Sequence, residues 1–139
     1  MERTLILVKP DAINRRLGGV ILSRLEEKGL KLVALKMLQM DEALGKRHYA
    51  AHVEKAFFPD LLKYMTSSPI IAAVFEGDGA VELARKTMGA TNPAKAEQGT
   101  IRRDFGIDIQ QNSVHGSDSP DTAEKEIGLF FKDTEMYQY

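Results

Sequence analysis

The stretch "TLILVK", Thr4–Lys9, runs apolar from Leu5 to Val8 and is stopped at once by Pro10 and Asp11. A short apolar run closed by turn-forming residues reads as a buried strand. On its far side, "GGVILSRLEEKG" reads as a helix with Val20, Ile21 and Leu25 on its apolar side and Gly29 as its terminator. "LKLVALKMLQM" (Leu30–Met40) reads as a long strand, and "DEALGKRHYAAHVEK" as a helical segment whose acidic start suits the positive end of a helix dipole. In "FFPDLLKYMTSSP", Pro59 lies near a helix start and Pro69 stops it. "IIAAVFEG" (Ile70–Gly77) is a β-branched strand, and Ala80–Gly89 is a helix closed by its final glycine.

The next segment, "ATNPAKAEQGTIRRDFG", has no convincing period and reads as a long loop, a feature that is often functional in a compact domain. "NSVH" follows as a short strand candidate. "SPDTAEKEIGLFF" is then a helix, with Ser119 able to cap it and Pro120 at the first helical position. The order gives two βαβ-like halves. It predicts an α/β (α+β) ferredoxin-like sandwich, with helices covering a mostly antiparallel sheet of four strands.

The 139 residues are read as one domain, 1–139, large enough to bury roughly 68–70% of the unfolded surface without staples. Hydrophobic residues at 43% against 28% charged place the chain among soluble proteins rather than disordered ones. A net charge of −1 supplies no global attraction to nucleic acid or anionic membrane, so any anion site must arise from local clustering. The absence of cysteine excludes a disulfide framework, a zinc-thiolate site and a thiol nucleophile. The apolar run near the start is too short for a signal peptide or a membrane span. The expectation is a soluble, cytoplasmic protein.

Phosphate-binding loops are missing. "GK" occurs once, at Gly45–Lys46, but Met40 stands where a Walker A loop needs its first glycine, and Arg47 follows the lysine. "EGDGAV" (Glu76–Val81) lacks the third glycine of a dinucleotide fingerprint and reads as a turn. Any phosphate would therefore be held by side chains. Lys9, at the end of the first strand, is one candidate. Arg85, Thr91, Arg102 and Arg103 are others, since a guanidinium offers two parallel charge-assisted hydrogen bonds to a phosphate. Singly, each is more simply a solvated surface charge.

His48 and His52 stand four apart and would share a helix face, yet no third ligand is evident, so they read as helix-surface histidines. Tyr49, Phe57 and Phe58 are core by default. His115 differs, because it sits where a strand ends and the chain turns into a helix. Ser117 follows closely, and Glu126 lies about two turns beyond Pro120. A helix packed back on that strand end would let a carboxylate orient the imidazole directly or through Ser117, the outline of a positioned nucleophile.

"NSVHGSDSPDTAEKEI" closely resembles the active-site signature of the nucleoside diphosphate kinases, N-x-x-H-G-S-D-[ST]. "RTLILVKPDA", "FFPDLLKYMTSSP" and "MGATNPAKAEQGTIRRDF" resemble the same family in order and spacing, from Glu2 to about Lys132. The resemblance implies a ferredoxin-like subunit that assembles into a hexamer or tetramer. It implies Mg²⁺-dependent transfer of the terminal phosphate of ATP or another nucleoside triphosphate to a nucleoside diphosphate, with His115 phosphorylated in a ping-pong cycle. By motif match, Lys9 and Tyr49 would lie near the transferred phosphate. Arg85, Thr91 and Arg102 would grip the outer phosphates, Asn112 with Lys9 would contact the sugar, and Phe57 would stack on the base. Ser117 and Glu126 would support His115.

Arg103, Ala56 and Ser68 depart from residues usual in the family. The tail "KDTEMYQY" is shorter than many, which leaves hexamer, tetramer and dimer open. Two competing readings are a nucleotide-binding regulatory module without turnover and a histidine phosphocarrier. The retained His115, Lys9, Arg102 and Glu126 weigh against the first, and the Phe57, Arg85 and Thr91 set against the second. The near-neutral charge makes nucleic acid a poor primary partner.

Overall fold

The computed structural model describes residues 1–139. Strands β1 (Glu2–Val8), β2 (Lys31–Leu38), β3 (Ile70–Gly77) and β4 (Val114–Gly116) form one antiparallel sheet in the order β2-β3-β1-β4. The helices are α1 (Pro10–Asn14), α2 (Gly18–Glu27), α3 (Glu42–His48), α4 (Phe58–Met65), α5 (Ala80–Met88), α6 (Ile101–Phe105) and α7 (Pro120–Phe130). This is the ferredoxin-like arrangement expected from the element order, with β1 and β3 at the centre.

The uninterrupted apolar run of β1 follows from that central place. Successive side chains of a strand point to opposite faces. Ile6 and Val8 pack with Ile21, Leu25, Ala84 and Met88 on one face, while Leu5 and Leu7 pack with Val74, Ile127 and Phe130 on the other. Both faces are covered, so Leu5–Val8 is apolar in both position sets, and Thr4 is the one fully buried polar residue of the strand.

Three local expectations are corrected. Val20 is exposed, whereas Ile21 and Leu25 are fully buried; four residues apart, these two share a face and Val20 is turned off it. The helix expected to run through Lys55 ends at His48, and the chain continues through Tyr49 into a 3-10 turn at Ala50–His52. His48 and His52 therefore do not share a helix face. The long loop contains a 3-10 turn at Pro93–Lys95 and helix α6, whose five residues are too few to display a period. Its cap, Thr100, accepts a hydrogen bond from the Arg103 backbone at 3.3 Å.

At the site end, β1 finishes where Lys9 caps α1, and β4 lies alongside with Leu7 opposite His115. Two glycines hold α5 against this end. A Cβ on Gly116 would come within 2.6 Å of the Met88 sulfur, and Gly89 turns the chain out of α5 at φ 88°, a left-handed value that favours glycine. No helix is long and apolar enough to cross a membrane.

Candidate active site

His115 is the middle residue of a three-residue strand, so strand alternation turns its ring to the face opposite Val114 and Gly116. On that face α7 brings Glu126 to it. Ser119 fixes the start of α7 by accepting from the Thr122 backbone at 3.1 Å, and Glu126 follows within the second turn. The Glu126 oxygens lie 3.2 and 3.1 Å from His115 Nε2. Ser117 Oγ donates to Glu126 Oε1 at 2.6 Å and accepts from the Leu5 backbone N–H at 3.2 Å. The carboxylate is thus bound to the central strand through one serine.

Burial is the strongest influence on Glu126 and opposes its ionisation, but hydrogen bonding and charge from His115, with the Ser117 hydroxyl, hold its pKa below the ordinary value. An ionised Glu126 assigns the Nε2 proton to His115 as a donor, since a carboxylate only accepts. The lone pair of the neutral ring then sits on Nδ1.

His48, read from sequence as a surface histidine, is the main correction. Its side chain is only 1% exposed. The ring meets His115 at 4.8 Å between centroids, Tyr49 at 4.5 Å and Phe130 at 5.4 Å, each edge to face. Burial, and secondarily the charge of His115, push its pKa down to about 3, so it is neutral at any ordinary pH. Neither ring nitrogen has a hydrogen-bond partner, and Nδ1 stands 3.6 Å from Glu126 Oε2.

The cations converge from different elements. Lys9 is buried and donates to Asn112 Oδ1 at 2.9 Å. Asn112 in turn donates to the carbonyls of Thr91 and Ile109 at 3.0 and 2.9 Å, tying the long loop to the strand ends. Ser113 makes that turn with φ 76°, outside the region comfortable for a non-glycine residue. Burial first, then neighbouring Arg102, lowers the Lys9 pKa to about 8. Arg102 is likewise lowered to about 10, by burial and then by Arg85. Its guanidinium braces the backbone, donating to Gly89 O at 3.0 Å and Val114 O at 2.8 Å, while Nε has no partner. The Tyr49 hydroxyl is also buried without a partner, and burial followed by the charge of Glu126 keeps it protonated.

Lys9, Tyr49, Phe57, Arg85, Thr91, Arg102, Asn112, His115 and Glu126 all line one cleft of about 510 Å³, and Ser117 lies behind Glu126, fully buried. Clefts of about 1000 and 890 Å³ border it, the first through Arg85 and Asp118 and the second through Ile109, but neither contains a histidine, so chemistry rather than size selects the site. Phe57 and Phe58 part company: Phe58 is core, and Phe57 is 50% exposed at the mouth of the cleft, where the His52 ring lies 5.5 Å from it. Arg103 is outside the cleft and donates to Ala94 O at 3.1 Å. Sequence reasoning missed the burial of His48, because Asp41–Lys55 reads as one helical segment and the partners that bury the ring are distant in sequence.

A carboxylate-held imidazole at the closed end of a cation-lined cleft, with an aromatic ring at its mouth, defines a phosphate-handling site on a ferredoxin-like fold. The family model "Nucleoside diphosphate kinase" matches residues 2–136. A nucleoside diphosphate kinase of Dehalococcoides mccartyi is 60% identical over all of this chain and 98% of its own length. One from Thermomicrobium roseum is 54% identical over all of this chain and 93% of its own. Among solved structures, a halophilic nucleoside diphosphate kinase from Halobacterium salinarum in complex with CDP superposes with a TM-score of 0.96 at 47% identity, covering 99% of this chain and 92% of that one. The enzyme from Aquifex aeolicus gives a TM-score of 0.95 at 39% identity, covering 98% and 99%. The chain belongs to the nucleoside diphosphate kinase family.

Proposed function

We propose that the chain transfers the terminal phosphate of a nucleoside triphosphate, chiefly ATP, to a nucleoside diphosphate through a phosphohistidine on His115. The observation that carries this reading is the asymmetric imidazole, Nε2 held by Glu126 and Nδ1 left to the cleft. The Nδ1 lone pair forms a bond to the γ-phosphorus while the bond to the β,γ-bridging oxygen breaks, and ADP leaves. The ring gains positive charge as the N–P bond forms, and the Glu126 carboxylate, hydrogen-bonded to Nε2–H, balances it. A second diphosphate entering the vacated cleft reverses the step, its terminal oxygen attacking phosphorus as the N–P bond breaks. One pocket serves donor and acceptor in turn.

Catalysis of such a loose transfer rests on positioning and on cations around the equatorial oxygens. Lys9 and the protonated Tyr49 supply donors beside the transferred phosphate. Arg85, Thr91 and Arg102 grip the other phosphates, and Asn112 with Lys9 meets the sugar. Phe57 stacks on the base through a π face that every base has, which gives broad base tolerance.

Mg²⁺ fits as a companion of the nucleotide. The only carboxylates lining the cleft are Asp118 and Glu126, and Glu126 is engaged by Ser117 and His115. Mg²⁺ keeps waters and phosphate oxygens as ligands and neutralises phosphate charge when bound. The reading is completed by one domain over residues 1–139, a cytoplasmic setting, and assembly as a homo-oligomer, hexamer or tetramer.

The test uses Mg²⁺ and ATP labelled on its terminal phosphate, with no acceptor. Label that is stable in base, lost in acid, absent from His115→Ala and passed on to added GDP is the expected result. ATP binding by a folded protein that never becomes labelled would replace the kinase with a nucleotide-binding module.

A further inference from the structure

We propose that His48, His115 and Glu126 form a site for a borderline divalent cation such as Zn²⁺, which inactivates the nucleophile by binding the far side of its ring. One donor atom from each residue lies within 4.8 Å of the other two. The closest pairs are His115 Nε2 to Glu126 Oε2 at 3.1 Å and His48 Nδ1 to the same oxygen at 3.6 Å. Tetrahedral zinc with bonds of about 2.1 Å needs donor atoms about 3.4 Å apart, so the two pairs with Glu126 need only small adjustments, while the two imidazoles, whose donors lie within 4.8 Å, must close by up to about 1.4 Å.

The second observation is His48 itself. A side chain 1% exposed, with both nitrogens unpartnered and one aimed at the Glu126 carboxylate, is a buried polar group that the protein leaves unsatisfied. Metal coordination would satisfy it. Entry is open from the cleft, because the His115 and Glu126 side chains keep 22% and 11% exposure. Two imidazoles and one carboxylate suit zinc, leaving a fourth position for water, whereas Mg²⁺ prefers oxygen ligands in octahedral geometry.

The inactivation follows from proton placement and rests on the proposed transfer through Nδ1; binding alone does not. A neutral imidazole has one lone pair in the ring plane. When Nε2 gives its pair to the metal, the ring proton resides on Nδ1, which then has no pair with which to attack phosphorus. The ion also withdraws Glu126 from Nε2. Excess Mg²⁺ would not relieve this, since it travels with the nucleotide.

The experiment titrates the metal-free, full-length protein with Zn²⁺ against a chromophoric chelator, beside folded His48→Leu. Expected are one Zn²⁺ per chain and a loss of affinity of at least about tenfold in the variant. Unchanged affinity in His48→Leu would overturn the site. The unmutated protein gives an independent answer, because the chain has three histidines and their ring resonances are separable. One equivalent of Zn²⁺ should move the His48 and His115 signals together and leave His52 in place; movement of His52 with His48 would overturn it. Labelling from ATP in excess Mg²⁺ should disappear with that same equivalent, and labelling that persists on zinc-loaded protein would overturn the inactivation. A protein that fails to label before zinc is added refutes the kinase reading instead, and the chelator and resonance measurements still decide the site.

Discussion

The two ends of the cleft are built on opposite plans. At the floor, hydrogen bonds of 2.6–3.2 Å join His115 and Ser117 to Glu126 and, separately, Lys9 to Asn112, and four of the five are buried. At the mouth, Phe57, Arg85 and Thr91 are exposed, and their side chains have no hydrogen bond to the protein. The floor has its geometry set before a ligand arrives, so it can stabilise a transition state without reorganising. On the proposed reading the mouth would take its order from the ligand, which suits a surface that accepts different bases. The difference teaches where binding and chemistry should separate under mutation.

The largest effect is expected at the floor. Glu126→Gln keeps the shape of the side chain but removes the charge that balances the ring, and should slow phosphoryl transfer by about 100-fold, with little change in nucleotide affinity. Stopped-flow phosphorylation at saturating ATP reads the rate and titration of ADP reads the affinity. A variant whose affinity fell and whose rate held would merge the two ends.

Phe57→Ala should do the reverse. Loss of one stacking face costs about 1–3 kcal/mol, so calorimetry should find ADP and CDP both weakened by roughly tenfold or more, with the thermal midpoint unchanged because the ring is half exposed. Weakening of ADP alone would mean that the mouth reads base identity.

The smallest effect concerns pH. His48 has a pKa of about 3 in the folded chain against 6.5 ordinarily, so below 6.5 the unfolded chain binds the extra proton and stability falls as pH falls. The slope approaches about 1.4 kcal/mol per pH unit. Glu126, also depressed, contributes stability that is present above 4.5 and is lost as pH falls through its folded value. Between pH 6.5 and 4.5 the first contribution therefore stands nearly alone. Thermal melts of His48→Leu should be flatter than wild type in that window, and parallel curves would show that the ring is not held neutral by burial.

Much of this was legible in the sequence because it is local. The Leu5–Val8 run, the β-branched Ile70–Gly77 and the Ser119–Pro120 helix start each carry their signal within a few residues. The His115, Ser117 and Glu126 relation was legible too, since strand end and helix lie in one short segment. What escaped depends on distant partners. The burial of His48 is set by His115 and Phe130, and the backbone bonds of Arg102 by Gly89 and Val114, none of which spacing reveals. Phe57 and Phe58 are identical letters with opposite exposures, one capping α4 and the other beginning it. Helix α6 was hidden by its length alone.

The most direct test of a floor set in advance is the position of the phosphoryl group on the ring. The base-stable phosphoprotein formed with ATP, labelled with ¹⁵N in its histidines, would be read by phosphorus–nitrogen coupling in NMR. Phosphorus on Nδ1 of His115, with Nε2 protonated toward Glu126, is the predicted result. Phosphorus on Nε2 would require the His115–Glu126 contact to open before reaction and would contradict the account.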